Sequence, residues 1–299
     1  MTTHVGIIGA GNMGFGMSRN LLKAGYQVVV YDLRPEPLEA LAAEGATIAT
    51  DPGEVGRACG LVFSVVLDHP QNLAILEGPE GLFKQMAPGG TIFVCSTISP
   101  SQVRELADLA AAHELRLLDS PLSGGREGAL VGTMSMMIGG DGAVLAEHRA
   151  VLEAVTANLY HLGDVGAGEA AKAVNQILVA VHDVATAEAL MLASKSGIDL
   201  KQMYEIICTS AGQSWMFEHR AMRMIDRDFE TRGALKILLK DIKVVLETAH
   251  AHGLVLPLSE MTRQVVQAGV NQGLGDEDDS ACVKVLESLA SFSLADLRP

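Results

Sequence analysis

A glycine-rich turn near the start of the chain limits its fold more than any other sequence feature. The turn, GAGNMG at Gly9–Gly14, directly follows the apolar run Val5–Ile8 and opens a segment of helical character, Met13–Lys23. Gly25 ends that segment, and a second β-branched run, Gln27–Tyr31, follows it. A strand, a turn without side chains, a helix and a second strand within about thirty residues predict a parallel βαβ unit.

The residue types at this turn suit a dinucleotide. The first glycine permits the tight turn, the second lets the backbone approach a pyrophosphate, and the third lets the helix pack closely on the strand. Asp32, at the end of the second strand, can accept hydrogen bonds from the adenosine ribose hydroxyls, and its charge repels a phosphate there. Arg34 is a basic residue that could hold such a phosphate, so the sequence favours NAD over NADP without excluding NADP. The predicted cofactor-binding residues of this unit are Gly9, Gly11, Asn12, Met13, Gly14 and Asp32.

The first half of the chain continues the alternation of short apolar runs with helical segments. Nearly continuous apolar runs predict strands covered on both faces, so we expect an α/β, Rossmann-type doubly wound parallel sheet. From about Gly163 onward, alanine and leucine at helical spacing predict an all-helical second domain. The predicted domains are therefore 1–163, which binds the dinucleotide, and 164–299, which serves the substrate and dimerisation. The strand candidates are Val5–Gly9, Gln27–Tyr31, Leu61–Val66, Thr91–Cys95 and Leu115–Asp119, with a weaker one at Thr47–Ala49.

Composition excludes several classes of protein. The 299 residues carry 22 Lys and Arg against 36 Asp and Glu, and the net charge of −14 opposes binding to nucleic acid or anionic membranes. The four cysteines lack the spacing of zinc sites or of a disulfide framework, so we predict no metal site. The first residues lack the basic start and cleavage site of a secretory signal, which predicts a cytoplasmic protein. The apolar stretch Ile177–Ile198 contains charged residues, so we expect a buried helix and no membrane span.

A polar stripe marks the helix that follows the predicted junction. Lys172, Asn175, Gln176, Asp183 and Thr186 fall on one narrow face of an otherwise apolar helix. An arbitrary lysine more often extends along an exposed edge into solvent. This helix, however, begins at the domain junction, where ligand sites preferentially form, and the stripe therefore predicts that it lines a cleft.

Two further segments carry candidate ligand groups. Ser123 and the pair Gly124–Gly125 follow the predicted strand that ends at Asp119, and a hydroxyl beside two accessible N–H groups suits a carboxylate. An ordinary loop has the same composition. Lys240 shares a helix face with other charged residues, which alone is typical of a solvated stripe, whereas Asp241 lies off that face and is expected to be buried and paired.

Together these segments resemble the β-hydroxyacid dehydrogenase family, which includes 3-hydroxyisobutyrate dehydrogenase and tartronate semialdehyde reductase. The resemblance extends in order over nearly the whole chain and includes Gly166–Gly168 before Lys172. It implies that Lys172 is the catalytic acid/base and that Thr97 lies near the nicotinamide. Many family members carry asparagine four residues after the lysine, where this chain has Gln176, with Asn175 one place earlier. The substrate-binding residues that the resemblance implies are Ser123, Gly124 and Gly125 for the carboxylate, with Asn175, Gln176 and Lys240, and Lys240 is also implied beside the cofactor.

Within the family, residues 211–218 and 275–281 are similar to the branch that oxidises four-carbon sugar acids at the carbon next to the carboxylate with NAD. Gln176 also fits that branch. The resemblance therefore implies L-threonate as the substrate, with 3-hydroxyisobutyrate and tartronate semialdehyde as alternatives. It further implies a homodimer or homotetramer.

The reaction needs a group that takes the alcohol proton while hydride leaves the neighbouring carbon, and Lys172 is the candidate. Imine reductases resemble this architecture but generally have aspartate or tyrosine at that position. An alternative of another class is a dinucleotide-binding scaffold or sensor without chemistry. The presence of Lys172, Ser123 and Lys240 together argues against that alternative.

Overall fold

The computed structural model describes residues 4–297, which form two compact units. The first unit ends at Lys172 and the second begins at Ala173. This division falls inside the helix that follows the predicted junction. The domain boundary after residue 163 therefore stays a prediction.

The first unit is built on a six-stranded parallel sheet with the strand order β3-β2-β1-β4-β5-β6. The order changes direction between β1 and β4, and open sheets bind ligands at such a point, outside the carboxyl ends of the strands. The six predicted strands and the doubly wound fold class are confirmed, with differences only at the strand ends. The strands are β1 (His4–Ile8), β2 (Gln27–Tyr31), β3 (Thr47–Ile48), β4 (Leu61–Ser64), β5 (Thr91–Val94) and β6 (Arg116–Asp119).

Alternate residues of these strands enter two different hydrophobic cores. Ile7 and Phe63 pack with Met17 in one core, whereas Val62 packs with Leu106 in the other. Because helices cover both faces, neither set of positions can be polar, which explains the nearly continuous apolar runs. The helices of this unit are α1 (Asn12–Lys23), α2 (Pro35–Ala43), α3 (Pro52–Ala58), α4 (His69–Glu77), α5 (Leu82–Gln85), α6 (Pro100–Ala112), α7 (Gly125–Val131) and α8 (Gly142–Val155).

A second, three-stranded sheet in the first unit was not predicted. In it β7 (Leu122–Ser123) pairs antiparallel with β8 (Ser135–Ile138), and β8 pairs parallel with β9 (Asn158–His161). The segment after Asp119 therefore contains a short strand as well as a loop. Strands of two to four residues are too short to show a period of two, and three of the four residues of β9 are exposed.

The second unit is helical throughout its described residues, 173–297, apart from the connecting turns, which confirms the all-helical prediction. Its core contains Ala180, Leu190, Met224, Ile242 and Val266. Its helices are the continuation of α9 (Ala167–Lys195), α10 (Leu200–Cys208), α11 (Trp215–Asp226), α12 (Leu235–Ala251), α13 (Pro257–Gly269) and α14 (Cys282–Ala290), with short π or 3₁₀ turns at 270–274, 279–281 and 294–297.

By length and composition alone, α9 could cross a membrane, and half of its most apolar window is buried in the protein. Core helices of globular proteins pass the same test, so the length of α9 is weak evidence for a membrane span. Most of the polar stripe is buried as well, since Gln176, Asp183 and Thr186 are each less than a tenth exposed, while Asn175 is half-buried.

Candidate active site

The three glycines of the turn after β1 differ in why a side chain would or would not fit at each position. Gly9 has a φ of +98°, and a Cβ there would lie 2.5 Å from the carbonyl oxygen of Val65. A Cβ on Gly14 would lie only 1.9 Å from the carbonyl oxygen of Gly9, so no side chain fits between helix and turn. A Cβ on Gly11 would meet one atom within 4 Å, Nη2 of Arg34 at 3.7 Å. The turn is therefore tight, closely packed and open at its middle glycine, as a pyrophosphate cradle requires.

Helix α1 begins directly at this cradle. Asn12 is its first residue and Met13 its second, with Gly11 as the N-cap. The N-terminus of a helix concentrates partial positive charge and backbone N–H groups, which favour a bound phosphate. The turn thus fits a dinucleotide by shape and by charge.

Asp32, directly after β2, is tied both to the turn and to Arg34. Its Oδ2 accepts a hydrogen bond of 2.6 Å from the N–H of Ala10. Arg34 donates to Oδ1 through its backbone N–H at 2.8 Å and Nε at 3.0 Å, and to Oδ2 through Nη2 at 3.0 Å. Burial opposes ionisation, but these hydrogen bonds outweigh it and hold the pKa of the Asp32 carboxyl below its ordinary value. The side chain is therefore a carboxylate at neutral pH.

A buried hydrogen-bond network joins the loops that follow β4 and β5. Asn72 donates to the carbonyl oxygen of Asp68 at 2.8 Å and to Oγ of Ser96 at 2.9 Å, and it accepts from Oγ of Ser64 at 2.6 Å. Neither Ser64 nor Asn72 is exposed, and Ser96 is 4% exposed. Thr97, predicted near the nicotinamide, is the next residue. This network was not predicted, and its only signal in the sequence is polar residues beside apolar strands.

Lys172 is buried beside the loop predicted to hold a carboxylate. The side chain is 7% exposed, and Nζ donates a hydrogen bond of 2.8 Å to the carbonyl oxygen of Leu122. Ser123 is the next residue, and Gly124 and Gly125 follow with φ values of +134° and +64°, which a residue with a side chain rarely adopts. The structure thus brings the lysine amine and the Ser-Gly-Gly segment together within the first unit.

Asp119 fixes the start of the helix that carries this lysine. Its carboxylate accepts hydrogen bonds of 2.8 Å from the N–H groups of Gly166 and Glu169. A Cβ on Gly139 would lie 2.4 Å from Oδ1, and one on Gly168 would lie 2.8 Å from Oδ2. Burial raises the pKa of Asp119, and the backbone hydrogen bonds oppose that rise. Asp119 is therefore a buried carboxylate at a helix N-terminus that leaves no room for a side chain on Gly168, a role that was not predicted for it.

Asn175, Gln176 and Lys240 belong to the second unit, where Asp241 links them into one chain of polar contacts. Asn175 Nδ2 donates to Gln176 Oε1 at 2.9 Å, and Gln176 Nε2 donates to Asp241 Oδ2 at 2.6 Å. Lys240 Nζ lies 2.8 Å from Asp241 Oδ1. Asp241 is 6% exposed and paired, as expected from its position off the charged face. The predicted contacts of the other three residues with substrate stay predictions.

The first unit contains both a turn that fits a dinucleotide and a buried amine beside the Ser-Gly-Gly segment. Among residues 4–297, no group of three or more His, Cys, Asp or Glu side chains could hold a metal ion. A buried amine next to N–H groups and a hydroxyl can exchange a proton with a bound hydroxy acid while a nicotinamide exchanges hydride.

Two family models match the chain. The model described as the NAD binding domain of 6-phosphogluconate dehydrogenase matches residues 4–163. The model described as NAD-binding of NADP-dependent 3-hydroxyisobutyrate dehydrogenase matches residues 166–286. The first match includes the cradle and Asp32, and the second includes Lys172 and Lys240.

Similar proteins extend over nearly the whole chain. L-threonate dehydrogenase of Cupriavidus necator is 37% identical over 97% of this chain and 98% of its own length. NAD-dependent L-serine dehydrogenase of Pseudomonas aeruginosa is 32% identical over 95% and 97%. The crystal structure of 3-hydroxyisobutyrate dehydrogenase from Salmonella typhimurium has a TM-score of 0.90 and 38% identity, covering 95% of this chain and 99% of that one. These relatives and the two family models show that the chain belongs to the β-hydroxyacid dehydrogenase family and is an NAD(P)-dependent dehydrogenase of hydroxy acids.

Proposed function

We propose that the chain oxidises L-threonate with NAD at the carbon next to the carboxylate, and that Lys172 is the general acid/base. The observation that carries this proposal is the buried position of Lys172, with Nζ 2.8 Å from the carbonyl oxygen of Leu122 and beside Ser123–Gly125. The hydrogen bond directs the amine toward the segment that is proposed to hold the substrate carboxylate.

In the proposed mechanism the chain's own groups bind the acid and move one proton. The bound nicotinamide supplies the hydride acceptor. Ser123 Oγ and the N–H groups of Gly124 and Gly125 hold the substrate carboxylate, which fixes the alcohol carbon beside the lysine. Nζ of Lys172, as the neutral amine, takes the hydroxyl proton as hydride leaves the carbon, and in the reverse direction the ammonium returns it.

Substrate choice within the family is the finer part of the proposal. L-threonate is supported by the relative from Cupriavidus necator and by Gln176, which fits the threonate-type branch. On the family resemblance we assign Asn175, Gln176 and Lys240 to substrate binding, and Lys240 also to the cofactor; Asp241 joins these three residues in one polar chain. The alternatives are 3-hydroxyisobutyrate and tartronate semialdehyde.

Cofactor choice is supported by Asp32, whose carboxylate is ionised and lies at the end of β2, where the adenosine ribose binds in such folds. That charge favours ribose hydroxyls over a 2′-phosphate, so NAD is the proposed cofactor and NADP the less favoured one. Gly9, Gly11, Asn12, Met13 and Gly14 would hold the pyrophosphate, and Thr97 would border the nicotinamide.

A homodimer or homotetramer in the cytoplasm completes the proposal. Val174, Leu178 and Leu192 on one face of α9 are 63%, 55% and 70% exposed. Apolar side chains exposed along one helix face are typical of a surface that packs against another chain. We propose a second copy of this chain as that partner.

Turnover of a panel of hydroxy acids, followed by absorbance of the reduced nicotinamide, tests the proposed chemistry. Lys172→Ala should lower turnover about 10²–10⁴-fold and leave NAD binding measurable, because only proton transfer is removed. The matched control is Lys201→Ala, since that lysine side chain is 67% exposed. A K172A enzyme within a few-fold of wild type that still binds NAD would exclude Lys172 from the acid/base role.

The same panel separates the candidate substrates and the alternative of another class. Threonate should be turned over faster than erythronate, glycerate or 3-hydroxyisobutyrate. A clear preference for 3-hydroxyisobutyrate would make the threonate assignment wrong. Bound NAD without turnover of any acid would instead favour the scaffold or sensor.

A further inference from the structure

A buried glutamate lies on the same helix as Lys172, and the proposed mechanism gives it no role. Glu169 stands in the first turn of α9, three residues before the lysine, and none of its surface is exposed. Side chains three residues apart on a helix share one face, with Cβ atoms about 5–6 Å from each other. Carboxylates are almost never fully buried unless a partner stabilises them. The buried helix face that carries Lys172 therefore also carries a group whose ionised form has the opposite charge.

Glu169 connects the start of α9 to the loop after β5. Its Oε2 accepts a hydrogen bond of 3.3 Å from the N–H of Ile98, which is 1% exposed. The residue before Ile98 is Thr97, proposed to border the nicotinamide. The loop leaves the carboxyl end of β5, at the edge of the sheet where such folds bind their ligands. One carboxylate thus contacts the loop of Thr97 and shares a helix face with the proposed acid/base.

The elements packed around this carboxylate bring a second acid, a thiol and an exposed base. Asp119, at the end of β6, accepts a hydrogen bond of 2.8 Å from the backbone N–H of Glu169. Burial, with a further contribution from the charge of Glu169, raises the pKa of the Cys95 thiol after β5 to about 12, so that thiol is neutral. Arg104 on α6 is exposed and donates to a backbone carbonyl just before α9 at 3.2 Å. Lys172, at 7% exposure, is the buried base of this group.

We propose that Glu169 is a positioning residue that keeps Lys172 protonated and holds the loop of Thr97 against α9, an inference that rests on the proposed role of Lys172. Burial alone favours the neutral amine, whereas an ionised carboxylate nearby favours the ammonium. The neutral amine is the form that accepts the alcohol proton, and the ammonium is the form that returns it. Glu169 therefore sets the pH range in which each direction of the reaction runs.

The pH dependence of kcat/KM in both directions tests this, measured with the hydroxy acid that wild type turns over fastest and with the oxo acid that it forms. Glu169→Gln keeps the side-chain length and one acceptor oxygen for Ile98 and removes the charge. The half-maximal pH of oxidation, which needs the neutral amine, should move to lower pH by about 1 unit or more. The half-maximal pH of the reverse reaction should move with it, because both report the same proton.

Three variants separate the charge from the structural role. Glu169→Asp retains the charge, so its half-maximal pH should stay closer to that of wild type even where turnover falls. Glu169→Met has a similar length and no polar atom that needs a buried partner, and it should shift the profile in the same direction as the amide does. The matched control is Glu153→Gln, which removes an equal charge from a side chain that is 56% exposed and should leave the profile unchanged.

A readout that does not depend on turnover is the ¹³Cε resonance of Lys172 in protein labelled at lysine, identified by its absence in K172A. Its titration midpoint should be lower in E169Q than in wild type by the same amount. Lowered midpoints in E169Q and E169M, with E169D close to wild type, support the inference.

Two results overturn the inference and leave the dehydrogenase assignment intact. One is an equal midpoint in wild type and E169Q. The other needs no variant at position 169: a wild-type midpoint below about pH 7 would show that the ammonium is not held at neutral pH. In contrast, full turnover by K172A, or a wild type that oxidises no hydroxy acid, overturns the proposed role of Lys172 and the inference with it.

Discussion

Replacing Asp119 by asparagine tests whether a buried carboxylate holds the start of α9. Asparagine keeps the shape and one acceptor oxygen, but it turns an NH₂ group toward one of the two N–H donors, Gly166 or Glu169, that lie 2.8 Å away. The loss of one charge-assisted hydrogen bond costs about 1.5–3 kcal/mol, and a buried N–H without an acceptor costs about 1–3 kcal/mol more. Burial raises the pKa of Asp119, so the charge itself opposes folding and its removal offsets part of that loss. The expected net decrease in the free energy of unfolding is about 2–4 kcal/mol.

Urea unfolding followed by circular dichroism measures this change. If the slope of the free energy of unfolding against urea concentration is unaltered, wild type and variant expose the same surface on unfolding. Turnover should fall as well, because Asp119 fixes the first turn of the helix that carries Lys172, and a displacement of about 1 Å can cost about 10²-fold. NAD affinity should change little, since the cradle at Gly9–Gly14 makes no contact with this carboxylate. Asp141→Asn is the control, because Asp141 is exposed and caps α8 through the N–H of Ala143 at 2.7 Å. It should cost about 1 kcal/mol or less and leave turnover unchanged.

A D119N protein that unfolds within about 0.5 kcal/mol of wild type and keeps its turnover would show that this carboxylate neither stabilises the start of α9 nor positions Lys172. A D119N protein that is less stable but keeps full turnover would support the structural role of Asp119 and contradict its role in positioning Lys172.

Three further changes probe the cradle, the loop network and a buried acid. Gly14→Ala should abolish NAD binding in calorimetry, because its Cβ would lie 1.9 Å from a backbone oxygen of the turn, whereas Gly60→Ala meets nothing within 4 Å and should bind normally. Asn72→Ala removes the partner of two buried serine hydroxyls, so it should weaken NAD binding several-fold and lower the urea midpoint, while unchanged values would contradict the role of the network. Burial and neighbouring carboxylates raise the pKa of Asp183 well above its ordinary value, so the folded state binds a proton that the unfolded state releases. As the pH rises from about 4 toward that raised pKa, the melting temperature of wild type should therefore fall relative to that of Asp183→Asn. Melting temperatures that change equally with pH in the two proteins would exclude this.

The central strands of the large sheet could be predicted because they are covered on both faces, and that burial appears in the sequence as a nearly continuous apolar run, whereas β3, with no buried residue, gave a weaker signal. The glycines at Gly9 and Gly14 could be predicted for a related reason, since only a missing side chain permits their turn and their close packing. In contrast, β8 and β9 have four residues each and three of the four residues of β9 are exposed, so their pattern is too short and too exposed to identify.

The polar parts of the site were predictable by residue type but not by partner. Lys172 was singled out by its helix face, yet its hydrogen bond to Leu122 depends on a strand that the sequence did not reveal. Asp119 was predicted only as the end of a strand. Its role at the start of α9 could not be predicted, because its two N–H donors lie 47 and 50 residues further along the chain. The ion pair between Asp32 and Arg34 is local, but which of several geometries the two side chains adopt is decided by the turn that approaches from β1.

The network of Ser64, Asn72 and Ser96 contains no ionisable group. Its hydrogen bonds therefore keep the same donors and acceptors from mildly acidic to alkaline solution, and the loops behind β4 and β5 keep their geometry over that range. A change in turnover with acidity must then arise in groups outside this network, because none of its side chains gains or loses a proton over that range.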